Sequence, residues 1–288
     1  MATKICNFDF FTISCNDKTL IEKALSNEEK LRKTGKVNNI QLFDFYARIR
    51  HIELDGKVWV GYVEKVNTFD EAHVGDLNGA RQTLATSADE GPIFDTIFLY
   101  NPVTNVLVLH RNRSGLGTTS FAKYLGKLIG DDDLDLEIII DPDTLARLKK
   151  INLVKSIDYK ISKPTNFKFA KGINGSMNAD LELVKFFKGD NIKVTIGGKQ
   201  LGKESIVKKV QSLLRVSDGV SRLEVKGEAN GEPDIIDLIK NRIVHTKVFS
   251  LSKNRKVTEV MLMDEIKAGY KKHKTNLDRL YFNKKIDN

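Results

Sequence analysis

Two adjacent apolar runs, residues 97–100 (IFLY) and 106–109 (VLVL), constrain the fold more than any other stretch of the chain. Residues 101–105 (NPVTN) separate them. Apolar runs rich in β-branched and aromatic residues on both sides of a Pro/Asn turn predict a β-hairpin. Because neither run alternates with polar residues, the hairpin should belong to a sheet that is covered on both faces.

A basic, glycine-rich loop at residues 110–119 follows this hairpin and leads to a predicted helix. The helix should begin near Thr118 or Ser120. Its exposed N–H groups and its positive end, beside Arg111 and Arg113, suit a phosphate or another anion. A plain strand-to-helix connection with solvated arginines accounts for the same residues, so both interpretations stay open.

Periodic stretches predict strands and helices along the rest of the chain. Asp55-Gly56 is a strong hairpin signal between two of them. The other predicted strands are residues 4–13, 41–54, 58–66, 134–140, 191–196 and 220–226, with one or two more within 235–251. The predicted helices are residues 18–33, 77–84, 142–150, 179–188, 204–215 and 258–281. This mixture predicts an α+β (mixed α/β) fold with mixed sheets.

The asparagine- and glycine-rich stretch 164–178 (PTNFKFAKGINGSMN) is the best candidate for a boundary between two parts of the chain. We therefore expect a mixed-sheet N-terminal domain over residues 1–165 and a smaller, basic α+β domain over residues 166–288. The charge balance changes sign close to this stretch.

The net charge of +9 is unevenly distributed along the chain. Residues 1–150 hold 19 Lys and Arg against 22 Asp and Glu, whereas residues 151–288 hold 28 against 16. A basic half beside a mildly acidic one indicates a polyanionic partner, of which nucleic acid is the usual one and an anionic membrane surface the lesser one. A basic domain without such a partner has the same composition.

Only two cysteines occur, Cys6 and Cys15, and they lie at opposite ends of one predicted strand, too far apart to pair with each other. Reduced thiols, together with an N-terminus that has no signal-peptide pattern, predict a cytoplasmic protein. The five histidines show no zinc-ligand spacing, and we expect neither a metal nor a cofactor. Asp131-Asp132-Asp133 lacks the alternating spacing of a calcium loop and indicates a solvated acidic turn.

Two short motifs suggest enzymatic chemistry. Gly197–Lys203 has the G-x-x-x-x-G-K spacing of a phosphate-binding loop, but Glu204 stands where Ser or Thr should hold magnesium, and a glycine turn explains the same residues. Glu224-Val225-Lys226 has the E-x-K pattern of many metal-dependent nucleases. That chemistry requires an aspartate on a neighbouring strand to share the metal.

Four short motifs occur together in the chain: the FLY…NVLVLHR hairpin, the Gly117-Thr118-Thr119-Ser120 entry to a helix that ends at Tyr124-Leu125, the hairpin around Asp55-Gly56-Lys57, and the SRLEVKGE strand at 221–228. Together they resemble the RexA family of phage-exclusion proteins and, more distantly, the KwaB family of the Kiwa defence system. The resemblance implies a homodimer that binds double-stranded DNA with little sequence preference, has no enzymatic activity and serves a membrane effector. It places a basic surface at Arg222 and Lys226.

The charge distribution and the resemblance predict the same function, which is non-enzymatic, sequence-tolerant binding of double-stranded DNA in phage defence or superinfection exclusion. Lysine and arginine contacts to phosphates supply affinity of this kind. The predicted contacts are Arg222, Lys226, Arg242, Lys247, Arg255 and Lys256, with Arg111 and Arg113 as secondary contacts. The alternatives are a metal-dependent nuclease that uses Glu224 and Lys226, and an adaptor that regulates a membrane effector.

Overall fold

The computed structural model describes residues 2–162, 175–189, 191–215, 220–252 and 256–281, and it has the predicted mixed α+β architecture. The strands are β1 (Ala2–Ser14), β2 (Ile40–Leu42), β3 (Phe45–Asp55), β4 (Val58–Val66), β5 (His73–Gly75), β6 (Arg81–Thr83), β7 (Ile93–Asn101), β8 (Val106–His110), β9 (Asp135–Ile138), β10 (Leu153–Ser162), β11 (Asn191–Leu201), β12 (Val220–Ala229), β13 (Glu232–Asp237) and β14 (Val244–Leu251). The helices are α1 (Thr19–Lys33), α2 (Thr118–Ile129), α3 (Pro142–Lys150), α4 (Gly175–Phe186), α5 (Lys203–Arg215) and α6 (Glu259–Tyr281).

The chain forms two compact units, each assembled from separate stretches of sequence. The first unit contains Met1–Asp9, Cys15–Leu134 and His245–Lys271, and the second contains Phe10–Ser14, Asp135–Val244 and Lys272–Asn288. The boundary that the sequence suggests at residues 165 and 166 falls outside the described residues, so it stays a prediction.

The sheet of the first unit has the strand order β14-β1-β8-β7-β4-β3-β2. The predicted hairpin lies near its centre, where Phe98 pairs with Leu109 in β7 and β8. Helix α2 covers one face, on which Phe98 packs against Phe121 with 5.5 Å between ring centroids. On the other face, Asn101 Nδ2 donates to Tyr270 Oη of α6 at 2.6 Å. Both faces are therefore covered, as the two uninterrupted apolar runs predict.

The predicted helix at residues 77–84 is wrong, because this stretch belongs to a small ribbon in which β5 and β6 pair antiparallel. Asp76 Oδ1 accepts hydrogen bonds from the backbone N–H groups of Asn78 and Ala80, each at 2.9 Å. Side-chain acceptors of this kind hold the backbone in a turn and compete with helix formation.

The sheet of the second unit has the strand order β11-β10-β12-β13, with antiparallel pairing throughout. Helix α4 lies against one face, where Tyr159 Oη donates to Asp180 Oδ2 at 2.5 Å. Leu223 and Val225 of β12 are fully buried on that face. In the same unit, β9 pairs with residues Phe11–Ser14 of β1.

None of the helices within the described residues is both long enough and apolar enough to cross a membrane.

Candidate nucleic-acid interface

Strand β12 separates apolar and charged side chains onto the two faces of the second sheet. Leu223 and Val225 face the core, whereas Arg222, Glu224 and Lys226 lie on the opposite face, because successive side chains of a strand point to opposite sides. We call this second side the open face. The side chains of Arg222 and Lys226 are 43% and 42% exposed there.

The pairing register extends the positive charge of Arg222 across three strands. Lys193 of β11 lies opposite Lys160 of β10, and Lys160 lies opposite Arg222. Directly opposed residues share a face, and neighbouring strands are separated by about 4.8 Å. Lys193, Lys160 and Arg222 therefore form a line across the sheet, which we call the cationic row. Neither Lys160 nor Lys193 forms an ion pair with a described residue.

A parallel line of carboxylates lies beside the cationic row. Asp158 of β10 is opposite Glu224 of β12, and Glu224 is opposite Asp237 of β13. We call these three residues the acidic row. Lys226, two positions beyond Glu224, flanks the acidic row on its other side. The open face is thus striped with charge of both signs rather than uniformly basic.

The two stripes neutralise each other in part. Arg222 Nη2 lies 2.8 Å from Glu224 Oε2, and Lys226 Nζ lies 3.4 Å from Asp158 Oδ2. Thr195 Oγ1 donates to Asp158 Oδ1 at 2.6 Å, and this hydrogen bond, followed by the charges of Lys226 and Arg222, lowers the pKa of Asp158 below its usual value. The hydrogen bond from Arg222 to Glu224 raises the pKa of the guanidinium. Asp158 and Arg222 are therefore charged at neutral pH.

None of the other predicted phosphate contacts that the structure describes belongs to a strand of the second sheet. Arg242 belongs to the same unit and donates from Nη1 to the Ile239 carbonyl oxygen at 3.0 Å. The members that belong to the first unit are Lys247, Lys256, Arg111 and Arg113, whereas Arg255 lies outside the described residues.

Two of the four cations in the first unit already bind carboxylates. Lys247 Nζ lies 2.9 Å from Glu265 Oε2, and Arg111 Nε donates to Asp9 Oδ2 at 2.7 Å. Lys256 and Arg113 are exposed. The ion pairs hold Lys247 against α6 and Arg111 against β1, so a phosphate would have to displace a carboxylate to reach either of them.

The glycine-rich loop before α2 is explained by packing rather than by anion binding. A β-carbon at Gly115 would lie 2.4 Å from Thr96 Oγ1, so only glycine fits this close approach to β7. The backbone N–H of Leu116 donates to the same hydroxyl at 2.8 Å. These contacts favour the plain strand-to-helix connection over the phosphate site.

The Gly197–Lys203 motif does not form a phosphate-binding loop, which is the less favoured of the two interpretations of this stretch. Gly197 and Gly198 lie within β11, which continues to Leu201. The register of β10 and β11 shifts here, so that the stretch between Gly197 and Leu201 bulges opposite Lys155. Without a loop that wraps around a phosphate, the motif has only its spacing in common with a nucleotide site.

The described residues include no group of three or more His, Cys, Asp or Glu side chains arranged to hold a metal ion. Asp131, the first of the three consecutive aspartates, instead accepts hydrogen bonds from the backbone and side-chain nitrogens of Asn16 at 2.8 and 3.0 Å. This interaction fixes the turn after β1. Cys6 and Cys15 are both free thiols, as predicted, and burial raises the pKa of each.

Sequence reasoning missed Lys160, Lys193, Asp158 and Asp237 as members of the site. Alternation along each strand could have assigned them to a polar face. Their grouping depends on the register between strands that are far apart in the sequence.

The chain belongs to a family of unknown function, DUF6731, whose model matches residues 1–285. No curated protein matches the chain.

Proposed function

We propose that the protein binds double-stranded DNA with little sequence preference through the open face of its second sheet. The observation that supports this function best is the cationic row of Lys193, Lys160 and Arg222, with Lys226 on the far side of the acidic row. A sheet face that presents lysines and an arginine at intervals of about 5 Å suits contact with several phosphates.

The acidic row makes this a weak and salt-sensitive interaction. Phosphates must compete with Glu224 for Arg222 and with Asp158 for Lys226. Phosphate contacts carry no sequence information by themselves, so every duplex should bind similarly. Four phosphate contacts predict that affinity falls roughly a hundredfold between about 50 and about 200 mM salt.

The resemblance to the RexA family supplies the biological setting of the proposal. It favours a cytoplasmic homodimer that acts in phage defence or superinfection exclusion together with a membrane effector, and it favours binding rather than catalysis. The free thiols of Cys6 and Cys15 are consistent with a reducing compartment.

The test is a gel-shift titration of the full chain against an arbitrary duplex at several salt concentrations. Arg222→Glu/Lys226→Glu should weaken binding at least tenfold and reduce the salt dependence, because two phosphate contacts are lost. The matched control, Lys57→Glu/Arg81→Glu, makes the same charge change at exposed positions of the first unit and should leave affinity within about threefold.

A third variant tests the acidic row directly. Glu224→Gln frees Arg222 without adding bulk, and it should tighten DNA binding about threefold to tenfold. Equal weakening by the test and control charge reversals, together with no gain from Glu224→Gln, would remove the open face as the binding site.

The second candidate function is a metal-dependent nuclease, and one observation favours it. The aspartate that the E-x-K pattern requires on a neighbouring strand is present, because Asp158 lies directly opposite Glu224 and beside Lys226. Against it, Asp158 is already bound by Thr195 and Lys226. Incubation of supercoiled plasmid with Mg²⁺ or Mn²⁺ separates the two functions: cleavage that Glu224→Gln abolishes supports the nuclease, and intact plasmid supports binding alone.

A further inference from the structure

We propose that the end of helix α4 docks onto an anionic lipid surface. Phe186 and Phe187 close this helix with 79% and 73% of their surfaces exposed, and Leu183, one turn earlier, is 49% exposed. The two phenyl rings pack edge to face with 5.0 Å between centroids. We call Leu183, Phe186 and Phe187 the apolar tip.

The backbone holds the apolar tip in a fixed position. The N–H of Phe187 donates to the Leu183 carbonyl oxygen at 3.1 Å, and the N–H of Gly189 donates to the Val184 carbonyl oxygen at 2.9 Å. Val184 is 4% exposed and anchors this last turn in the core. The two phenyl groups are thus exposed on a helix end whose backbone is already hydrogen-bonded, so that binding does not require this backbone to become ordered.

A lysine follows the apolar tip at a position where the backbone favours glycine. Lys188 has a φ of +50°, in the left-handed region, and the bond from Gly189 to Val184 completes a Schellman motif around it. A non-glycine residue carries a conformational cost there. Keeping a lysine at this position fixes an exposed cation beside two exposed aromatic side chains.

The chemistry of the apolar tip and its surroundings matches an anionic bilayer. Lys185 and Lys188 flank the two phenylalanines in the sequence, and residues 151–288 carry 28 Lys and Arg against 16 Asp and Glu. Surface segments that combine aromatic residues with lysines bind by shallow insertion of the rings and by attraction to anionic headgroups. Such a small apolar surface gives weak, reversible attachment.

The apolar tip lies on the side of the second sheet away from the open face. Asp180 of α4 accepts a hydrogen bond from Tyr159, whereas the preceding residue of β10, Asp158, belongs to the acidic row on the other side. Lipid binding and DNA binding would therefore use separate surfaces of one unit, and each can be removed without the other. This inference does not depend on the proposed DNA binding.

The test is co-sedimentation of the full chain with vesicles of phosphatidylcholine alone and of phosphatidylcholine mixed with phosphatidylserine. The wild type should bind the mixed vesicles, and raised salt should weaken that binding. Phe186→Ser/Phe187→Ser should lower the partition coefficient at least tenfold, because each ring contributes buried apolar surface. Its thermal unfolding midpoint and its DNA gel shift should match those of the wild type, since both rings are exposed.

The matched control is Phe69→Ser, which removes a phenyl group that is 59% exposed and followed by Asp70 and Glu71. The two carboxylates beside Phe69 should be repelled by anionic headgroups, so this phenyl group should not contribute to lipid binding. The variant should therefore bind vesicles like the wild type. Equal loss of binding in both variants would overturn the proposal, because it would show a general effect of exposed aromatic residues.

A second variant keeps the test decisive if the double serine change disturbs folding. Trp59, the single tryptophan of the chain, is 3% exposed and gives a background that lipid should not change. Phe187→Trp should therefore show a blue-shifted emission on addition of mixed vesicles. No shift would overturn the proposal. A second outcome would also overturn it. If the wild type does not bind vesicles, and light scattering shows that the wild type is an oligomer and the serine variant a monomer, the apolar tip joins two copies of the chain instead.

Discussion

The two sheets differ in how they use their faces. In the first, β8 is buried at all five of its residues, and α2 and α6 each contact one side of the adjoining β7. In the second, β12 alternates between buried apolar residues and the exposed charges of the open face. Uninterrupted apolar strands have no face left for a partner, whereas alternating strands present one to solvent. The candidate site therefore lies on the sheet with the weaker hydrophobic pattern.

Polar side chains also occur in the first sheet, but they are buried there. Glu64 is 7% exposed and accepts a hydrogen bond from Arg48 Nε at 2.6 Å. His110 is 5% exposed, and burial, followed by the charge of Lys4, lowers the pKa of its imidazole to about 4. A neutral histidine and a paired glutamate contribute to internal structure and offer nothing to a polyanion.

The largest expected effect on stability that tests this contrast is that of Phe98→Ala in the first sheet. Phe98 is 1% exposed and packs on Phe121, so its truncation should cost about 3 to 5 kcal/mol of unfolding free energy. Phe69→Ala, the same change at a side chain that is 59% exposed, should cost less than about 0.5 kcal/mol. Urea denaturation measures both. Similar midpoints for the two variants would contradict the assignment of the first sheet as the core.

The next test compares the two faces of the second sheet. Asp180 Oδ2 accepts from Lys209 Nζ at 2.6 Å, and the side chains are only 16% and 10% exposed, so Asp180→Ala leaves a buried charge without this partner. We expect a loss of about 3 kcal/mol, partly recovered in Asp180→Ala/Lys209→Met. Arg222→Ala on the open face should change stability by less than about 0.5 kcal/mol. If Arg222→Ala lowers the unfolding free energy more than Asp180→Ala does, the assignment of the buried and exposed faces of this sheet is wrong.

The smallest effect is a pH dependence that arises in the first sheet. Burial, followed by the charges of Glu259 and Glu64, raises the pKa of Asp95 from 3.8 to about 6. The folded protein thus holds this proton more tightly than the unfolded chain. The associated stability is present below about pH 4 and is lost as the pH rises through about 6.

Asp95→Asn should remove that loss. The variant should be more stable than the wild type by about 1 to 2 kcal/mol above pH 6, after allowance for partial solvent screening, and equal to it below pH 4. Urea midpoints across this range measure the difference. Asp44→Asn, at an exposed aspartate, is the control and should show no such trend. A gain that persists at low pH would point to packing rather than to proton binding.

Local signals in the sequence predicted most of the elements. Asp55-Gly56 indicated its hairpin because Gly56 adopts a φ of +62°, which glycine accommodates without strain. The central hairpin, the strand predicted at residues 4–13 and the helix predicted at residues 18–33 were also confirmed. These features depend on residues that are close together in the chain.

The composition of the site could not be predicted in the same way. Glu224 and Asp158 are opposed through the pairing of β10 with β12, and no local pattern specifies that register. The predicted phosphate contacts were chosen from the lysines and arginines alone, without the carboxylates that the register brings beside Arg222 and Lys226. Net charge along a sequence measures the sum of charges and contains no information about their neighbours.

The pairing of strand β1 affects how the chain folds during synthesis and how it tolerates truncation. Its edge in the first unit pairs with β14, which follows it by more than 200 residues, and its final residues pair with β9. During synthesis, the hydrogen bonds between β1 and β14 can therefore form only after nearly the whole chain has left the ribosome. A truncation before residue 244 would remove β14 and leave the edge of β1 that pairs with it without hydrogen-bond partners, which is a template for aggregation.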